Sequence, residues 1–144
     1  WEVRGRKNVT KHITYYKDMI KELHQKLEKG EITAKSLAEK HLARIEERKN
    51  LNAFLDVYKE EALEEARQVD EKISEGKGIG MLEGVPYALK DNICVENKKA
   101  TAGSKILENY VSPYDAFVSS KLKQEGAVLL GKTNMDEFAM GSSA

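Results

Sequence analysis

Three groups of residues have types and spacing that could do chemistry. The first is "GAVLLGKT", residues 126–133, which fits the phosphate-loop pattern G-x-x-x-x-G-K-[ST] through Gly126, Gly131, Lys132 and Thr133. Such a loop grips phosphate with amide N–H groups turned inward on an open turn between a strand and a helix. Here the intervening residues are Ala127, Val128, Leu129 and Leu130, an apolar run that reads as a short buried strand. The strand would lie inside the motif instead of before it. The match is therefore read as coincidence, and Lys132 is not assigned to nucleotide. The second group is Lys90, which follows "VPYAL" directly, with Asp91 after it. A lysine at the C-terminal end of a buried strand sits where sites form in open α/β sheets. Loss of hydration there would favour a neutral, proton-accepting amine. A lysine snorkelling off the strand end or paired with Asp91 fits the position equally well. The third group comprises Ser74-x-x-Lys77 and Ser120-x-x-Lys123, which have the spacing of serine–lysine hydrolases. Both fall in charged segments and read as surface. His12, His24 and His41 have no carboxylate or cysteine at metal-ligand spacing and read as solvated.

These residues need elements to position them. "ITYYKDMIKELHQKLEKG" places Tyr16, Met19, Ile20, Leu23 and Leu27 at helical spacing, with Gly30 as its stop. A second helix is expected over 33–49, with Thr33 as N-cap and Leu37, Ala38, Leu42 and Ile45 on one face. "NAFLDVY" is β-rich and reads as a short strand or extended linker. A third helix over 60–76 turns Ala62, Leu63, Ala66, Val69 and Ile73 inward and stops at Gly76. Beyond that glycine the texture changes. "GKGIGMLEG" is a connector, Val85–Leu89 an apolar strand, and "YDAFVSSKLKQEG" an amphipathic helix with Phe117, Val118, Leu122 and Tyr114 inward and Gly126 at its end. "AVLLG" is the next strand, closed by Gly131, followed by a turn at "KTN" and a short helix around "MDEFAM". Strand, helix, strand is the βαβ rhythm of a parallel sheet. The fold expected is α/β: N-terminal helices, then the first βαβ strands of a larger sheet.

Composition narrows the function classes. The 144 residues carry 24 basic and 24 acidic side chains, so a net charge of zero gives no overall pull toward nucleic acid or membrane. Cys94 is the one cysteine and cannot pair internally, which suits a reducing compartment. No apolar run approaches the roughly 18 residues that span a bilayer. Residues 1–12 read as a polar tail or artificial remnant, 13–76 as a helical region, and 77–144 as the beginning of the α/β core.

The segments "LEGVPYALKDNICV" and "ATAGSKILENYVSPYDAFVSSKLKQEGAVLLGKTNMDEFAMGSS" resemble the amidase signature family. Within it they are most similar to the A subunits of glutamyl-tRNA(Gln)/aspartyl-tRNA(Asn) amidotransferases. The resemblance covers roughly residues 13–143. It implies a mixed-sheet core and a Ser-cisSer-Lys triad in which Lys90 is the general base. A serine needs such a base because its hydroxyl is a weak nucleophile. It also implies that both triad serines lie beyond Ala144, and that Ser142 and Ser143 are not nucleophiles. The 144 residues are thus expected to be a truncated, inactive N-terminal piece of a glutamine-hydrolysing subunit. The resemblance further implies partner subunits B and C, Glu-tRNA(Gln) reached through the complex, and a cytoplasmic setting. No cofactor or metal is expected in this chain; ATP and magnesium would be used by the partner subunit. Another amidase-signature hydrolase acting on a different amide, or a non-catalytic partner-binding piece, are the alternative readings.

Overall fold

The computed structural model describes residues 18–141. The expectations for residues 1–12, His12, Tyr16, Ser142 and Ser143 lie outside them. Helix α1 runs over 18–28, followed by α2 (Ala34–Glu47), β1 (Phe54–Val57), α3 (Lys59–Ser74), β2 (Pro86–Lys90), α4 (Phe117–Gln124) and β3 (Val128–Thr133). The class is mixed α/β, as expected, with a small mixed sheet in the order β1-β3-β2. Strand β3 is central, antiparallel to β1 and parallel to β2. The β2–α4–β3 segment is the βαβ unit that the sequence rhythm announced.

Local chemistry explains the start of α2. Thr33 and Ser36 form a reciprocal capping box at the start of α2. The Asp70 carboxylate of α3 adds to it by accepting from the backbone N–H groups of Ala34 at 2.7 Å and Lys35 at 3.0 Å. One helix thus caps another, which fixes their relative placement. Small residues then let the pair approach closely: Ala34 and Ala38 of α2 and Ala62 and Ala66 of α3 are buried with Leu27, Leu42, Val69, Val128 and Leu130. This core lies between the helices and one face of the sheet. A second, smaller core of Tyr58, Leu89 and Leu129 occupies the other face, with Leu122 of α4 against it.

Several expectations are corrected. The helix over 114–126 is shorter, and of the four residues expected inward only Leu122 packs against a core; Phe117 is 80% exposed, and Val118 and Tyr114 are also exposed. The side chain that α4 buries is Ser119, whose hydroxyl donates to the Cys94 carbonyl at 2.6 Å. Gly126, at φ +71°, does stop the helix. Gly131 does not close its strand, because β3 continues through Lys132 and Thr133. Glycine is required there for another reason: a Cβ would lie 2.2 Å from the Asp56 carbonyl oxygen of β1. The segment "MDEFAM" makes a single 3₁₀ turn, Glu137–Ala139. Strand β2 stands at an edge of the three described strands, so only Leu89 among its side chains is buried.

Candidate active site

The parallel strands β2 and β3 end side by side, with Leu89 opposite Lys132 and Lys90 opposite Thr133. This is the strand-end position where α/β sheets place sites. The register is interrupted once: Tyr87 pairs with Leu129, but Ala88 pairs with Gly131. Leu130 is the extra residue of a bulge, and a bulge re-aims the side chains that follow it. Without it Lys132 would share a face with Leu130 and the helical core. With it, Lys132 sits beside Leu89 on the second face. Lys90 alternates to the side opposite Leu89.

Of the two lysines, the buried one is Lys132 and not Lys90. Lys90 is exposed, which agrees with a lysine snorkelling off the strand end and not with the desolvated alternative. Lys132, set aside as part of a coincidental motif, is 0% exposed. Its Nζ donates to the Ile93 carbonyl at 2.6 Å and the Lys99 carbonyl at 3.2 Å, and stands 3.5 Å from Asp91 Oδ1. Burial pushes the Lys132 amine below the ordinary lysine range, and the Asp91 carboxylate opposes that shift. Asp91, 1% exposed, is itself fully engaged. Its N–H donates to Thr133 O at 3.1 Å, and Oδ2 accepts from the Thr101 N–H at 2.9 Å and from the Thr101 hydroxyl. Asp91 also accepts at its carbonyl from Ala102 N–H at 3.4 Å.

The segment after β2 is therefore a strap folded over the end of β3. A further tie comes from Ser104, whose hydroxyl donates to Glu137 at 2.5 Å, with the Phe138 N–H donating to Ala102 O at 2.9 Å. Tyr58 lies beneath the strap with its hydroxyl buried and without a hydrogen-bond partner among the described residues. Burial, and then the nearby carboxylates of Asp56 and Asp91, raise its pKa.

The phosphate-loop geometry is absent. Residues 128–133 are strand, the Val128 N–H donates to Val85 O, and Leu130 O accepts from Tyr58 N–H. The serine–lysine pairs are not brought into contact either. Ser74 donates to Glu71 O and Lys77 pairs with Glu75. Ser120 accepts from Gln124, and Lys123 lies 3.8 Å from Asp115. His41 is exposed as expected. His24 is not: its side chain is 13% exposed and its Nε2 lies 3.6 Å from Glu28 Oε1. No group of three or more potential metal ligands occurs among the described residues. No helix among them is long and apolar enough to cross a membrane.

Sequence reasoning missed Lys132 and Asp91 as a buried pair. The signal was present in "AVLLGKT": an apolar run that carries on into Lys and β-branched Thr can be one strand with a lysine inside it.

The amidase family profile matches residues 36–144. The chain is 51% identical over 125 residues to the glutamyl-tRNA(Gln) amidotransferase A-subunit of Gloeothece citriformis, covering 86% of this chain and 26% of that protein. It is 53% identical over 131 residues to the protein of the same name from Streptomyces coelicolor, covering 88% and 26%. Among solved structures it is similar to the native peptide amidase of Stenotrophomonas maltophilia, at a TM-score of 0.76 and 33% identity over 83% of this chain and 25% of that one. The chain spans about a quarter of the length of the relatives it matches.

Proposed function

The chain belongs to the amidase family, and from that premise we propose that it is the N-terminal part of the glutamine-hydrolysing component of a tRNA-dependent amidotransferase. The observation that carries this reading is the 51% identity to an amidotransferase A-subunit over 125 residues. Lys90 at the end of β2 supports it. In the proposed reaction, Lys90 Nζ accepts a proton from a bridging serine, which takes one from a nucleophilic serine. The nucleophile's Oγ bonds to the glutamine side-chain carbon, the C–N bond breaks, and ammonia leaves with a returned proton. Water then releases glutamate from the acyl-enzyme.

A lysine serves as a base once it is desolvated. Lys90 is exposed here, so the reading requires cover, which we assign to the part of the longer relatives that this chain does not match. Both serines are assigned to that part as well, and the 144 residues alone are proposed to hydrolyse no glutamine. The same reading gives this chain partner subunits B and C, of which one uses ATP and magnesium to activate Glu-tRNA(Gln), and a cytoplasmic setting. Similarity to a peptide amidase at 33% identity keeps one alternative, a hydrolase of a different amide.

The test is made in the full-length protein carrying this segment. Lys90→Ala is expected to lower glutamine hydrolysis by at least ~10³-fold, within the range spanned by positioned acid–base groups. Lys90→Arg should fail nearly as badly, since a guanidinium does not release its proton. Near-normal hydrolysis by Lys90→Arg would reduce Lys90 to a structural cation.

A further inference from the structure

We propose that Lys132 is a positioning residue for Lys90: its buried amine pins the strap that begins at Asp91 and so fixes where the β2 terminus presents Lys90. This rests on the reading of Lys90 as general base.

The argument begins with where Lys132 is held. It lies on the central strand, paired on both sides, opposite Asp56 of β1 and Leu89 of β2. Its backbone is therefore the fixed part and the strap the adaptable one. Three acceptors converge on Nζ from separate points of the strap: Asp91, Ile93 and Lys99. A lysine ammonium has three donors and no acceptor; two are donated to the Ile93 and Lys99 carbonyls, and the Asp91 carboxylate stands at ion-pair distance, 3.5 Å. Lifting the strap would strand a buried amine away from its partners, and leaving a buried charge unpaired is strongly unfavourable.

Asp91 passes the constraint to Lys90. It is the next residue in the chain, tied to β3 through its N–H and to Thr101 through its carboxylate. The Lys90 backbone is thus held between its pairing with Thr133 and a clamped neighbour. The bulge at Leu130 is what makes this possible, since it turns Lys132 toward the strap. Catalysis is sensitive to such placement: a misplacement of about 1 Å can cost ~10²-fold in rate.

The experiment compares three variants in the full-length protein carrying this segment. Lys132→Met keeps an unbranched side chain one atom shorter and removes its donors. Thr101→Val is a milder change that loosens Asp91 from the other side, and it serves if Lys132→Met does not fold. Val69→Ala destabilises the helical core without touching the strap. Hydrogen exchange is read at Ile93, Thr101 and Ala102, and glutamine hydrolysis gives kcat and KM.

The proposal expects faster exchange in the strap, kcat lowered by ~10²-fold with KM held, and the same direction at smaller amplitude for Thr101→Val. Val69→Ala should change neither. Strap exchange unchanged in Lys132→Met overturns the pin. Faster exchange with kcat within threefold of the parent overturns the positioning role. Full activity in Lys90→Ala is a separate outcome: it removes the general-base reading and with it any catalytic role for the pin, while exchange still decides whether the pin exists.

Discussion

Replacing Gly131 by alanine should pry β1 from β3. A Cβ at this position lies 2.2 Å from the Asp56 carbonyl oxygen and 3.1 Å from Val57 Cα, both backbone atoms that no rotamer change can move aside. Heavy atoms in comfortable contact stand at about 3.5–4.0 Å, so β1 must retreat by roughly 1 Å or more. The Tyr58 N–H to Leu130 O bond, now 2.9 Å, lies one residue along and would stretch past useful range. Overpacking costs about 1–3 kcal/mol, and a lost backbone bond adds about 0.5–1.5 kcal/mol. A total near 2–4 kcal/mol lowers the folding equilibrium constant by about 30- to 1,000-fold, at 1.36 kcal/mol per factor of ten. Urea titration of the 144-residue chain measures it, with Gly78→Ala as the matched control because nothing lies within 4 Å of a Cβ there. Hydrogen exchange at Tyr58 should report the same opening locally. Equal urea midpoints for the two variants would refute the close approach of β1 as the reason for Gly131.

Two more expectations follow from Lys132. Because burial lowers its pKa in the folded chain, the unfolded chain binds its proton more readily, so stability should rise with pH up to the unfolded lysine value of about 10.4. Lys132→Met should lose that rise when urea midpoints are compared from about pH 8 to 10; above that range the raised Tyr58 hydroxyl acts in the opposite sense. Equal slopes in parent and variant would contradict the assignment. Magnesium-ATP, titrated calorimetrically into the chain, should show no binding dependent on Lys132. A micromolar affinity lost in Lys132→Ala would restore the phosphate loop.

Much of the fold could be read before the structure. Helices α2 and α3 announced themselves because one face of each meets a single continuous core, so periodicity and burial coincide at Ala38, Leu42, Ala62, Ala66 and Val69. The Thr33 cap was equally plain, since it depends on residues three apart. Helix α4 misled for the opposite reason. Its apolar residues Phe117 and Val118 signal a face to be covered, yet among the described residues that face is open. Lys132 was misread because it was taken for a turn residue, whereas β3 runs on through it and a bulge breaks the alternation before it. Which side Lys132 faces depends on the register with β2, a relation between distant segments that no local pattern encodes.

The central placement of β3 also sets an order of events during synthesis. Phe54 finds its partner only at Thr133, and Pro86 only at Val128. At about 5–20 residues per second, a translating ribosome leaves β1 without a neighbour for on the order of ten seconds. For most of that interval the α2–α3 pair can form, since its cap and its alanine contacts are complete once Asp70 has emerged. Its sheet-facing side, however, waits for Val128 and Leu130. Nascent chains stalled before residue 128 should therefore present a helical hairpin with an uncovered apolar face, a form suited to chaperone capture. Chains stalled after β3 has cleared the exit tunnel should no longer present it.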